Sequence, residues 1–110
     1  MKMESKSISS QLEILKRKLG GELFEPITLK TGAFKNGVCK AGNPIKVDGT
    51  VDNTGTSAAI GILLEDVYEE NPNGTIVKAF ACVNEKNCNT NAGITLDASV
   101  KKALSLIVFE

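Results

Sequence analysis

Four carboxylates crowd one short stretch of this chain: Glu65, Asp66, Glu69 and Glu70 fall within "EDVYEE" with no basic residue among them. Oxygen donors at that density are the raw material of a calcium site or of a paired acid and base. The stretch lacks the alternating oxygen ligands and the glycine of a calcium loop, however, and it runs into "NPNG", whose residue types favour a turn. A solvated loop is expected, because charge runs are usually surface. The three cysteines, Cys39, Cys82 and Cys88, have neither zinc-knuckle spacing nor a histidine to activate one of them as a nucleophile, since the chain has no histidine. The commonest general base and the commonest zinc ligand are absent with it. The glycines of "TGAFKNG" and "DGTVDNTG" do not have phosphate-loop spacing and read as turns. One tyrosine, four phenylalanines and no tryptophan offer no platform on which bases or sugars would stack. These residue types predict a protein that is not an enzyme, with no catalytic residue, no cofactor and no metal ligand.

Composition narrows the frame further. A chain of 110 residues with 42% hydrophobic and 24% charged content suits one soluble domain with one modest core. Lys and Arg equal Asp and Glu at 13 each, which argues against a nucleic acid or an anionic membrane as partner. The charges are unevenly spread: Lys2, Lys6, Lys16, Arg17 and Lys18 make the first residues basic, against the acidic run at 65–70. No apolar run approaches the roughly 20 residues of a membrane span, and the first residues are too polar for the centre of a signal peptide. The expectation is a protein made inside a cell with its thiols free, although Cys82 and Cys88 flank a turn-like segment and could approach each other.

The elements that would position these groups divide the chain at about Gly21. In residues 1–21, Ser10-Gln11-Leu12-Glu13 has the pattern of a capping box and predicts a helix to Leu19, ended by Gly20-Gly21. Ile8, Leu12, Leu15 and Leu19 repeat at the alternating spacing of a coiled-coil seam. With Lys16, Arg17 and Lys18 they form the candidate partner-contact surface, as a helix this short needs something to pack on. Residues 22–110 read as a β-rich domain, with candidate strands "PITLK", "GVCKA", "NPIKV", "AAIGILLED" and "TIVKAFACV" between glycine-containing turns. "NPNG" marks a hairpin between the last two. Within "AAIGILLED", Ile62 and Leu64 are expected to face the core and Leu63 the other face, with Gly61 admitting a close neighbour. Asp97 predicts a helix to about Ser105, with Val100, Ala103 and Leu104 on one face, before a final strand "LIVF". The predicted fold class is mainly β: a small β-barrel or sandwich-like body with one short C-terminal helix and an N-terminal helix.

The run "KAGNPIKVDGT", then "AIGILLEDVYEENPNGTIVKAFACVNE", then a short helix and "LSLIVFE", resembles the head decoration and head fiber proteins of tailed phages. The resemblance covers residues 38–110. It implies a structural virion protein on the outer capsid surface, whose compact β domain sits as a homotrimer on the major capsid protein and stabilises or extends the shell. Decoration proteins often start with a flexible arm that orders on the shell, and the helix predicted for the N-terminal segment departs from that pattern. A small ligand- or peptide-binding β-barrel is the alternative, and it requires a pocket of converging polar and aromatic groups that an aromatic-poor chain does not promise. An enzyme working through the acidic run is a further rival.

Overall fold

The computed structural model describes residues 13–17 and 20–110. Among these residues nine short strands and two helices follow in the order β1 (Leu15–Arg17), β2 (Leu23–Thr28), β3 (Val38–Cys39), β4 (Pro44–Ile45), β5 (Gly61–Leu63), β6 (Val67–Tyr68), β7 (Asn73–Ala79), β8 (Ala81–Val83), α1 (Glu85–Ala92), α2 (Ala98–Ala103) and β9 (Ile107–Phe109). A 3-10 turn, Thr31–Ala33, lies between β2 and β3. The chain is mainly β, in three sheets ordered β1-β8-β9, β2-β7-β5-β4 and β3-β6, and none closes into a barrel. Every pairing is antiparallel except β8 with β9.

The four-stranded sheet is the middle of the molecule, because β5 is buried along its whole length and successive side chains of a strand point to opposite faces. Ile62 and its register partner Val77 enter one core, with Ala81, Val83, Val100, Leu104 and Ile107. Leu63 and its partner Ile76 enter a second core, with Leu29, Cys39, Ile45 and Val67. Leu64 is half-buried against the first core, so the alternation expected for this strand holds. Gly61 admits its neighbours as expected: a Cβ there would lie 2.8 Å from the Val77 carbonyl oxygen and 2.9 Å from Ile76 Cδ1.

Six expectations change. The helix predicted to end at Leu19 is not formed where the chain is described, since Leu15–Arg17 is strand, paired with Val83 and Cys82. Tertiary bonds outweigh a marginal local preference here. The Asn84 N–H donates to the Ile14 carbonyl at 2.7 Å, Asn87 Nδ2 donates to the Glu13 carbonyl at 2.8 Å, and the Ile14 side chain is buried in the first core. Residues 1–12, 18 and 19 lie outside the described residues. A barrel gives way to three separate sheets. The single C-terminal helix becomes two: "EKNCNTNA" is helical, capped by the Asn84 side chain, which accepts from the Asn87 N–H, and ended at Gly93 in the left-handed region (φ 72°). In the second helix Val100 and Leu104 are buried as expected, while Ala103 is exposed.

The hairpin between β5 and β7 exists, but its tight turn is Tyr68–Asn71, closed by the Asn71 N–H donating to the Tyr68 carbonyl at 2.9 Å. Asn73-Gly74 is part of β7, where a Cβ on Gly74 would lie 2.6 Å from Val67 Cγ2. The other Asn-Gly pair, Asn36-Gly37, makes the turn that this dipeptide favours, with both φ positive (55° and 79°) and Lys35 and Val38 exchanging backbone bonds. The run "TIVKAFACV" is two strands, because Phe80 takes φ 57° and its N–H donates to the Leu106 carbonyl at 2.7 Å. That inversion carries the chain from the four-stranded sheet into the three-stranded one.

Candidate interaction surfaces

Among the described residues no buried side-chain nitrogen or oxygen lacks a hydrogen-bond partner, so the polar groups available to a partner lie at the surface. The acidic run separates into two kinds of residue. Glu65, Glu69 and Glu70 are exposed, as expected of a solvated loop. Asp66 is half-buried, and its Oδ1 accepts the Ala41 N–H at 2.8 Å and Asn91 Nδ2 at 3.2 Å while Lys40 Nζ stands 3.3 Å from Oδ2. It is a structural carboxylate that ties the β3 and β6 ends to α1. Among the described residues no group of three metal-ligating side chains comes together.

The three cysteines are free and buried. Burial pushes the Cys39 thiol up to about 11, with the Asp66 charge adding to it, and the Cys88 thiol up to about 12, with Glu85 adding to it. Asp48 and Asp52 are held below the usual carboxylate range, first by the Thr50 and Thr54 hydroxyls that donate to them at 2.7 and 2.6 Å.

Of the residues proposed from the sequence as partner contacts, Leu15 is half-buried and packs on the first core, and Lys16 is exposed on β1. Arg17 pairs through its backbone with Cys82. Ile8, Leu12, Lys18 and Leu19 lie outside the described residues. The structure therefore does not bring the seam together as one apolar stripe where it is described. Ile14, which the seam omitted, is buried in the first core.

Two surfaces were missed from the sequence. One is apolar. Ile107 and Phe109 of β9 pack on the first core, so Val108 between them projects to the opposite face, where it is 48% exposed. Phe80 and Leu106, joined by their backbone bond, are 52% and 57% exposed. Leu23, the register partner of Ala79, and Phe24 are exposed on β2, as are Val47 and Tyr68 elsewhere in the chain. An unbroken "LIVF" concealed this alternation, because an all-apolar run carries no period. The second surface is a cleft of about 400 Å³ beside the Asn36-Gly37 turn, lined by residues of the 3-10 turn, β3 and the end of α1. Its walls combine Val38, Val51 and Ile94 with Lys35, Lys40 and Asn43.

The chain matches no protein-family model, no curated protein and no solved structure.

Proposed function

We propose that this chain is a non-catalytic structural protein of a tailed-phage particle, a head decoration or head fiber protein that binds the outer capsid surface as a homotrimer. The observation that carries this reading is the exposure of Phe80, Leu106 and Val108, which the Phe80–Leu106 backbone bond and the β9 strand bring near one another, with Leu23 and Phe24 exposed on β2. Large apolar side chains left exposed favour burial against a protein partner. A closed cyclic trimer offers each subunit such a partner and matches the threefold positions of an icosahedral shell. Among the described residues, three sheets and two helices around paired cores suit the compact β domain that the resemblance implies. Contact with the major capsid protein falls to residues Ile8, Leu12, Lys16, Arg17, Lys18 and Leu19, whose charges give an attraction that weakens with salt.

Light scattering of the purified chain and cosedimentation with assembled shells test this reading together. The expected results are a trimer mass, its loss in Val108→Asp, and shell binding that falls when residues 1–12 are removed. That cut spares Ile14 and β1, whereas a cut to Leu19 would remove part of the core. A chain that stays monomeric and leaves shells undecorated overturns the proposal.

A further inference from the structure

We propose that the cleft beside the Asn36-Gly37 turn is a binding site for an acidic peptide segment of a partner protein. Its volume of about 400 Å³ falls within the roughly 300–1,000 Å³ typical of ligand sites. Val38, Val51 and Ile94 supply apolar wall, which suits aliphatic side chains better than a bare inorganic anion.

The charge on the cleft is positive. Lys40 shares its ammonium with Asp66 at 3.3 Å, but Lys35 is exposed and makes no ion pair among the described residues. A carboxylate entering the cleft therefore meets one uncompensated cation and one partly compensated one. Asn43 donates its amide nitrogen to the Lys40 carbonyl at 2.9 Å, which keeps its Oδ1 as the acceptor it presents to a peptide N–H. No aromatic side chain lines the cleft, which favours a peptide over a base or a sugar.

The walls are also held in place before any ligand arrives. The Asn36-Gly37 turn is closed by the Lys35 and Val38 backbone bonds of 2.9 and 3.2 Å, Lys40 is anchored by Asp66, and Asn53, on the far wall, bonds both the Thr95 carbonyl and the Asp97 N–H. Prior ordering of this kind lowers the entropy lost on binding. None of the residues that line the cleft belongs to the exposed apolar set of Phe80, Leu106 and Val108.

Titration of the isotope-labelled full chain with two capped peptides, SELEVG and its glutamine counterpart SQLQVG, tests the site by amide chemical shifts. The acidic peptide is expected to move the amides of Asn36, Val38, Asn43 and Ile94 with saturation, and the glutamine peptide to bind at least about tenfold more weakly, as loss of a charge pair implies. Lys35→Glu and Lys35→Gln, both at an exposed position, are expected to keep the spectrum of the folded chain and lose the acidic peptide by a similar factor. Absence of shifts at millimolar peptide, shifts centred away from the cleft, equal binding of both peptides, or unchanged affinity in both Lys35 variants would each overturn the proposal. Shell binding and trimer mass stand apart from all four readouts, so failure here and failure of the capsid reading are distinguishable.

Discussion

Ile62 and Leu63 are consecutive residues of one strand, yet they enter cores of different construction. The core around Leu63 takes its buried residues from the span Leu29 to Ile76, from strands, loops and the 3-10 turn, without either α-helix. The core around Ile62 draws on Ile14 near one end of the described chain, Ile107 near the other, and both helices in between. One half is closed by local β pairing, the other by elements that must return from a distance. Contacts between residues far apart in sequence carry a larger loop-closure penalty, so the Ile62 side is expected to be the part that opens first.

Truncating the two neighbours gives the largest effects and the most direct challenge to that comparison. Leu63→Ala and Ile62→Ala should each destabilise the protein by about 2–5 kcal/mol, since both side chains are fully buried. Denaturant unfolding should remain a single transition in both, because β5 belongs to both cores. Two separated transitions would mean that the cores are independent units. Asp66→Ala comes next. It removes the acceptor of the buried Ala41 N–H and the link to Asn91 of α1, and should cost about 1–3 kcal/mol, whereas Glu65→Ala, at an exposed position, should leave the unfolding midpoint within error. Equal effects would place Asp66 back among the solvated carboxylates. The smallest effect sharpens the comparison. Asn84→Ala deletes the cap of α1 and should cost about 1 kcal/mol. Hydrogen exchange should then rise in α1 while the amides of β7 keep their protection; uniform loss across both would contradict a separately opening half.

The two halves also differed in how far they could be read from sequence. Around Leu63 the runs "GILL" and "TIV" between turn signals mark two strands that do pair, and Gly61 announces the close approach of Val77 and Ile76. Around Ile62 the signal fades, because α1 buries Cys88 and otherwise consists of polar residues and one alanine, with asparagines that are poor helix formers. Its cap and its terminal Gly93 were present in the sequence, but no apolar period joined them. Leu15 misled for the opposite reason: a seam at good spacing suggested a helix, and a sheet edge at Val83 offered the backbone a partner instead. The two Asn-Gly pairs show the limit of dipeptide reasoning. Asn36-Gly37 turns, while Asn73-Gly74 is kept extended by pairing with Thr28 and Ile27. The cleft and the apolar face depend on which distant segments meet, and local patterns do not encode that.

The thiols supply an internal timing device. Cys39 is packed in the core around Leu63 and Cys88 in the core around Ile62, each almost wholly shielded from solvent. Both ionise well above neutrality, so a thiol reagent gains nothing from intrinsic reactivity at either position and must wait for the packing to part. Read site by site and apart from the third buried thiol, Cys82, the modification rates of Cys39 and Cys88 therefore count separate events, one for each half of the molecule, without any label being introduced. The ratio of those two rates measures how evenly the protein breathes.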